Sequence, residues 1–245
     1  MLAMKQMTAR LAIFDIDGTL CDTFDVDDEC FCEAATEALN APVALSPWEG
    51  SPHLTDAGIA EWLWNQYLKR SPTSEELQTL GDAYESALCR ELQHAPHRFS
   101  VIRGVPSLLK RLFTAKWDIA IATGGWSRLA RLKLAAARIP EELLLASSDD
   151  SPDRSEIFHL AQERAAKRRG ESYAKTVLIG DGISDVRVAA ANGWCLLGVG
   201  KGDRAERLLA EGATVVLEDF LDLSRVLDLF EHCSRPEERK CSENG

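Results

Sequence analysis

The stretch LAIFDIDGTL, residues 11–20, places two aspartates directly after an apolar run. The run is short and turn-forming residues follow it, which is typical of a strand buried on both faces of a parallel sheet. Asp15 and Asp17 stand two residues apart, so in extended chain their side chains point to the same side. Ligands of open parallel sheets bind at the carboxyl ends of the strands. This stretch therefore predicts a polar site at the end of the first strand.

Two stretches further along the chain repeat this arrangement. IAIATGG, residues 119–125, carries an apolar run into Thr123, and VLIGDGISD, residues 177–185, carries another into Asp181 and Asp185. In both stretches the polar residues follow the run and do not precede it. We expect all of these side chains to meet at one edge of a parallel sheet.

Other apolar runs complete an alternation of strands and helices. The run at 143–146 is weaker and leads into a loop that contains Arg154, and two more strands are predicted at 195–199 and 214–217. Segments with helical spacing of apolar residues lie between the runs. Alternating strands and helices predict an α/β fold with a doubly wound parallel sheet.

A long segment without a strand-like run separates the first strand from the second. Helical patterns dominate it, and a loop rich in proline and glycine interrupts them. The sequence therefore predicts a helical cap at 23–98, inserted into a core formed by 8–22 and 99–232. The polar, charged residues 233–245 are predicted to be a disordered tail.

Composition excludes several classes of function. The chain has 245 residues, with 28 Lys and Arg against 39 Asp and Glu, and a formal net charge of −11. This balance argues against a nucleic-acid partner, because phosphate backbones require clustered basic residues. No apolar stretch approaches the roughly 18 residues that predict a membrane span, so no membrane association is expected. The seven cysteines lack metal-ligand spacing, and we expect reduced thiols in a cytoplasmic protein.

Four carboxylates at one sheet edge require a cation. Two carboxylates about 4 Å apart repel each other by roughly 4 kcal/mol at an effective dielectric constant of 20. A hard divalent ion with oxygen ligands relieves this repulsion, and Mg²⁺ also bridges to phosphate. Asp15, Asp17, Asp181 and Asp185 therefore predict a Mg²⁺ site.

The chain resembles the haloacid dehalogenase superfamily, in its phosphoglycolate-phosphatase-like branch. DIDGTL at 15–20, Thr123, and GD at 180–181 with Asp185 carry the resemblance, which extends from about Arg10 to about Leu229. It implies a Mg²⁺-dependent phosphatase that hydrolyses a small phosphorylated metabolite through an aspartyl phosphate. Insertion of a helical cap after the first strand is also implied.

The resemblance implies a role for each motif residue. Asp15 is the nucleophile, and Asp17 protonates the leaving alkoxide and then deprotonates the attacking water. Thr123 and Gly124 bind phosphate oxygens at a strand end that precedes a helix. The Asp15 side chain, the Asp17 backbone carbonyl and Asp181 are metal ligands, with Asp185 as an outer or water-mediated ligand.

The sequence departs from the family pattern at one position. Where the family carries a Lys after the third strand, this chain has DDSPDRSE at 149–156. Arg154 is the nearest cation and could bind phosphate bidentately. An Arg154 that faces solvent and pairs with Asp150 or Asp153 is an equally good interpretation. Lys201, after a later strand, is a second candidate for binding the substrate.

Two other functions remain open. A phosphomutase of the β-phosphoglucomutase type would need the same core and a cap that shields the aspartyl phosphate from water. A non-catalytic regulatory protein could retain the fold, and the missing Lys is its only support. The sequence predicts no oligomeric state.

Overall fold

A computed structural model describes residues 9–44, 48 and 51–233. Within them, six strands form one all-parallel sheet in the order β3-β2-β1-β4-β5-β6, which confirms the predicted doubly wound α/β fold. The strands are β1 Arg10–Phe14, β2 Asp118–Ala122, β3 Leu144–Ala146, β4 Lys175–Gly180, β5 Cys195–Val199 and β6 Val216–Leu217. Residues 234–245, most of the predicted disordered tail, lie outside the described part of the chain.

Helices connect the strands and cover both faces of the sheet. They are α1 Phe24–Leu39, α2 Asp56–Leu68, α3 Ser74–His94, α4 Val105–Thr114, α5 Ser127–Ala136, α6 Arg154–Arg169, α7 Ile183–Asn192, α8 Asp203–Ala210 and α9 Leu223–His232. A short 3-10 helix, Pro96–Phe99, follows α3. The sequence did not predict this turn or α9. Helix α2 begins at Asp56 because the Thr55 side chain accepts a hydrogen bond from the Gly58 backbone and caps it.

The strand residues alternate between two hydrophobic layers. Ala12 and Phe14 pack with α4, α5 and α9 on one face, whereas Leu11 and Ile13 pack with α6, α7 and α8 on the other. All four side chains are fully buried. Each large apolar side chain buried in this way contributes about 1.5–3 kcal/mol of transfer free energy. Burial on both faces explains why the β1 run is continuously apolar.

Register brings the ends of the three central strands level. Phe14 of β1 pairs with Ile121 of β2 on one side and with Ile179 of β4 on the other. The residues just beyond these pairs therefore emerge at the same height. Asp15, Thr123 and Asp181 are brought to one edge by this register, as the order of the motifs predicts.

Helices α1, α2 and α3 share a hydrophobic core of their own, and we refer to these three helices as the cap. Phe31 of α1 lies at its centre and makes edge-to-face ring contacts with Trp48 at 5.6 Å and with Tyr84 of α3 at 5.4 Å. Trp64 of α2 is buried in the same cluster. Leu129 of α5 also belongs to this cluster, so the cap rests on a helix of the core.

The fold brings one pair of cysteines together. Cys195 of β5 lies beside Cys233, which follows α9, with Cα atoms 6.0 Å apart, a separation that a disulfide could bridge. The expected reduced state of the thiols stays a prediction. Spacing along the chain gave no sign of this pair, because the fold alone brings β5 and the end of α9 together. Among the described residues, free thiols are present at Cys21, Cys30, Cys32 and Cys89. Cytoplasmic location stays a prediction.

None of the helices in the described part of the chain is both long enough and apolar enough to cross a membrane.

Candidate active site

A cavity of about 580 Å³ opens where the sheet edge meets the cap. Its floor is formed by residues at the strand ends, and its other walls come from the cap and from α8. The residues that line the floor are Asp15, Asp17, Thr123, Gly124, Gly125, Arg154, Asp181 and Gly182, and those on the other walls include Phe24, Asp27, Asp28, Trp48, Leu54, Ile59, Arg204 and Arg207.

Asp15 is fixed by a tight turn directly after β1. Its backbone N–H donates to the Ile179 carbonyl at 2.9 Å, and the Ile16 carbonyl accepts from three successive N–H groups, those of Thr19, Leu20 and Cys21. Gly18 in this turn has a φ of +75°, and a Cβ there would collide with the Asp181 carboxylate. Only glycine therefore lets the turn approach Asp181 so closely.

Arg154 turns into the site and contacts the predicted nucleophile. Its Nη2 lies 2.7 Å from Asp15 Oδ2 and 2.8 Å from Asp185 Oδ1, and its side chain is only 13% exposed. Burial raises the pKa of Asp15 to about 7, although the Arg154 guanidinium opposes this shift. The nucleophile candidate thus depends on nearby positive charge to stay ionised.

The surroundings of α6 explain the direction of Arg154. Asp153 caps the helix, since its side chain accepts from the backbone N–H of Ser155 at 2.8 Å. Asp150 pairs with Arg164 at 2.5 Å. Both carboxylates that could have held Arg154 at the surface are therefore engaged elsewhere. The solvent-facing interpretation of Arg154 is wrong.

Lys201 lies outside the cavity. It is exposed and lines a neighbouring groove together with Gly18, Asp22 and Glu218, on the other side of Arg204. The geometry therefore favours Arg154 over Lys201 as the cation closest to Asp15.

Asp181 and Asp185 complete a buried acidic cluster with Asp15. One carboxylate oxygen from each residue lies within 4.8 Å of the others. Asp181 Oδ2 accepts from Arg204 Nη1 at 2.6 Å, and Asp185 Oδ2 accepts from the Gly182 backbone at 3.0 Å. Asp185 is thus tied to the start of α7 and to Arg154.

The chemistry of this cluster fits a hard divalent cation. Burial raises the pKa of Asp181 well above its ordinary value, and the Asp15 carboxylate raises it further while Arg204 lowers it. When all three carboxyl groups of the cluster are ionised, they carry three negative charges, whereas Arg154 and Arg204 supply two positive charges. The cluster could therefore hold a metal ion with oxygen ligands.

Asp17 is held by a different cation, which the sequence analysis missed. Lys133 of α5 is 1% exposed, and its Nζ lies 2.6 Å from Asp17 Oδ2 and 2.6 Å from Asp27 Oδ1. The other oxygen of Asp17 accepts a hydrogen bond from Thr23 Oγ1 at 2.5 Å. The sequence does indicate that Lys133 is buried, because it stands within the apolar stripe of α5, next to Ala130, Leu134 and Ala137.

The loop after β2 forms another part of the cavity floor and contacts the cap. Thr123 is buried, and its Oγ1 accepts from the Gly125 backbone at 3.1 Å. A Cβ on Gly124 would come within 2.8 Å of both Arg154 Nη1 and the Leu54 carbonyl, so this position is closely packed. The Asp56 backbone at the start of α2 donates to the Gly124 carbonyl at 2.8 Å.

A second contact closes the cap over the core. Thr55 Oγ1 donates to the Pro152 carbonyl at 2.7 Å, in the loop that leads to Arg154. Asp56 Oδ2 accepts from the Trp126 backbone at 2.8 Å. The cap is therefore docked against both loops that carry the predicted phosphate-binding residues.

The cap side of the cavity combines apolar surface with carboxylates, Asp28 among them. Leu54, Ile59 and Trp48 supply the apolar surface, and Trp48 Nε1 donates to Asp28 Oδ1 at 3.2 Å. Burial raises the pKa of Asp28. Trp64 packs inside the cap and does not line this cavity.

Known proteins with related sequences and structures agree with this architecture. The family model for haloacid dehalogenase-like hydrolases matches residues 9–193. No curated protein matches the sequence.

Solved structures match over nearly the whole chain. A hydrolase from Pseudomonas syringae is 28% identical, with a TM-score of 0.68, and the match covers 93% of this chain and 100% of that one. A predicted β-phosphoglucomutase from Bacteroides vulgatus is 17% identical, with a TM-score of 0.67 and coverage of 94% and 92%. A predicted phosphoglycolate phosphatase from Haemophilus somnus is 15% identical, with a TM-score of 0.63 and coverage of 89% and 98%. Since the family model spans more than half of the sequence, the chain belongs to the haloacid dehalogenase-like hydrolases.

Proposed function

We propose that the protein is a Mg²⁺-dependent phosphatase that hydrolyses a small phosphorylated metabolite through an aspartyl phosphate. The observation that carries this proposal is the placement of Asp15. Its buried carboxylate lies at the floor of the cavity, 2.7 Å from Arg154 and beside Asp181. A nucleophile, a cation for the phosphoryl oxygens and metal ligands therefore meet at one point.

In the first step, a carboxylate oxygen of Asp15 attacks phosphorus and forms the acyl phosphate bond. The bond from phosphorus to the leaving oxygen breaks, and that oxygen takes a proton from the Asp17 carboxyl. Arg154 and the hydroxyl of Thr123 bind the phosphoryl oxygens. Arg154 can do so because its fork of donors also faces the cavity.

In the second step, Asp17 accepts a proton from a water molecule, and the water oxygen attacks the phosphorus of the aspartyl phosphate. The bond between phosphorus and Asp15 breaks, which releases inorganic phosphate and restores the carboxylate. The docked cap limits access of bulk water during the first step.

The metal would be held by the side chains of Asp15 and Asp181 and by the backbone carbonyl of Asp17, with Asp185 behind them. When bound, Mg²⁺ neutralises charge on the phosphoryl group and on the carboxylates around it. Donors of this type are those that Mg²⁺ prefers.

The test is a screen of phosphorylated sugars, alcohols and hydroxy acids with the wild-type protein, with and without Mg²⁺. We expect release of inorganic phosphate that stops on addition of a chelator and returns with excess Mg²⁺. Undiminished release in chelator would contradict the metal assignment. Transfer of the phosphoryl group to a second substrate hydroxyl, with little free phosphate, would favour a phosphomutase. No reaction with any phosphoester would favour a non-catalytic role.

A further inference from the structure

Lys133 is a fully buried cation that the reaction proposed above does not use. It lies on α5, away from the strand ends, and only 1% of its side chain is exposed. A buried ammonium is unfavourable unless oxygen partners compensate for its lost hydration. Its two carboxylate partners, Asp17 and Asp27, come from different parts of the molecule, and each lies 2.6 Å from Nζ.

The two carboxylate partners of Lys133 are held by different parts of the protein. Asp17 belongs to the loop after β1, in the core. Asp27 belongs to α1, the first helix of the cap, and it also accepts a hydrogen bond from Tyr84 of α3 at 2.5 Å. Asp27 is thus anchored to two helices of the cap, and Lys133 is shared between the core and the cap.

The electrostatics agree with a permanently charged Lys133. Burial lowers the pKa of the ammonium, but Asp17 and Asp27 outweigh this effect and raise it above the ordinary lysine value. Burial also raises the pKa of Asp27, to about 6, against the effect of Lys133. The three groups therefore form a hydrogen-bonded unit whose geometry depends on all of its members.

We propose that Lys133 is a positioning residue that holds the Asp17 carboxyl in place and makes this placement depend on the docked cap. The inference rests on the proposed function, because Asp17 must be the acid–base group for its position to matter. One carboxyl oxygen of Asp17 accepts a hydrogen bond from Lys133 and the other accepts one from Thr23, so these two contacts fix the orientation of the group. If the cap moves away with Asp27, Lys133 loses one of its two carboxylates and the unit must rearrange.

Kinetics of a Lys133 variant distinguish a positioning role from a purely structural one. Loss of a structural residue slows every substrate in the same way, because it lowers the amount of properly folded enzyme. Loss of a residue that positions Asp17 slows only the substrates that need a proton. An aryl phosphate such as 4-nitrophenyl phosphate has a leaving group that departs without a proton, whereas an alkyl phosphate needs one.

The experiment compares Lys133→Met with wild type in single turnovers at saturating Mg²⁺. The rate of aspartyl-phosphate formation is measured by acid quench with 4-nitrophenyl phosphate and with the best alkyl phosphate from the screen. We expect the alkyl rate to fall by roughly 10²-fold and the aryl rate to stay within about twofold of wild type. Arg131→Met is the matched control, since Arg131 is an exposed cation on the same helix. It should leave both rates unchanged.

A second variant guards against a failure to fold. Lys133→Met leaves Asp27 buried beside Asp17 without its cation, and Lys133→Met/Asp27→Asn removes that unpaired charge. The double variant should regain the melting temperature of wild type but keep the selective loss on the alkyl phosphate. Equal losses on both substrates, or no loss on either, in a folded variant would overturn the proposal. A wild-type protein without Mg²⁺-dependent turnover would instead refute the proposed function, so the two failures are distinguishable.

Discussion

The two aspartates of the loop after β1 lie two residues apart, yet different parts of the protein hold them. Asp15 contacts Arg154, which begins α6 and also binds Asp185 of α7, so all of its partners belong to the core. Asp17 contacts Lys133, which also binds Asp27 of the cap. The nucleophile candidate is thus fixed within the sheet edge, whereas the acid–base candidate is tied to the cap.

This difference suggests a division of labour between core and cap. Chemistry at phosphorus requires a nucleophile in one position whatever the cap does, and the core provides that position. Proton transfer to the leaving group matters only when a substrate is enclosed, and a cation shared with the cap links the two. Asp15 and Arg154 thus form the core half of the site, and Asp17, Lys133 and Asp27 form its cap half.

The largest effect is expected at the core half. Asp15→Asn should abolish turnover, because a carboxamide cannot form the acyl phosphate. Release of phosphate in the screen assay measures this, with circular dichroism to check folding. Asp25→Asn, a change at an exposed position of α1, is the control and should leave turnover unchanged. Normal turnover by Asp15→Asn would show that Asp15 is not the nucleophile.

Removal of the core cation should have the next largest effect. Arg154→Ala should lower kcat/KM by roughly 10²–10³, the usual effect of losing one donor to the transition-state charge. Lys201→Ala should stay within about twofold of wild type, because Lys201 lies in the neighbouring groove. Steady-state kinetics of both variants on one substrate at saturating Mg²⁺ gives the comparison. If kcat/KM fell strongly in Lys201→Ala and stayed near wild type in Arg154→Ala, Lys201 would be the cation that binds the phosphoryl group.

The buried charge of Asp15 should also appear in the pH dependence of stability. Burial raises its pKa from 3.8 to about 7. A raised pKa in the folded state contributes stability that is complete below the ordinary pKa and is lost as pH rises through about 7. Asp15→Asn cannot ionise, so its melting temperature relative to wild type should be higher at about pH 8 than at about pH 5 in chelator. A difference that is the same at both pH values would contradict the raised pKa.

The smallest effect is expected at the cap wall. Trp48→Phe keeps an aromatic ring against Phe31 but removes the donor to Asp28. We expect a change of several-fold in kcat/KM for the metabolite and little change for 4-nitrophenyl phosphate, in line with the 1–3 kcal/mol range of single pocket contacts. Trp62→Phe, at a partly buried position outside the cavity, should change neither. Equal losses on both substrates would indicate that Trp48 only supports the cap.

Local patterns were sufficient to predict the sheet and the meeting of Asp15, Thr123 and Asp181 at one of its edges. The continuous apolar run before Asp15 reports burial on both faces of β1, and the strand-end rule then places Asp15, Thr123 and Asp181 together. The bounds proposed for cap and core stay predictions.

The cap half of the site could not be predicted in the same way. Lys133 lies 116 residues from Asp17 and 106 residues from Asp27 along the chain, and no local pattern encodes those pairs. The direction of Arg154 was equally hidden, because it depends on Asp153 capping α6 and Asp150 binding Arg164. Contacts between distant elements arise only once the fold is complete.

Trapping the phosphoryl group on the protein tests the central claim most directly. Asp17→Asn should slow overall turnover by roughly 10²–10⁴ and should slow the attack of water more than the loss of an aryl leaving group. With 4-nitrophenyl phosphate and Mg²⁺, this variant should therefore accumulate an acid-quenched phosphoryl group, which peptide mapping by mass spectrometry should locate on Asp15. A phosphoryl group on another residue, or continued turnover with no trapped intermediate in either wild type or Asp17→Asn, would contradict the account.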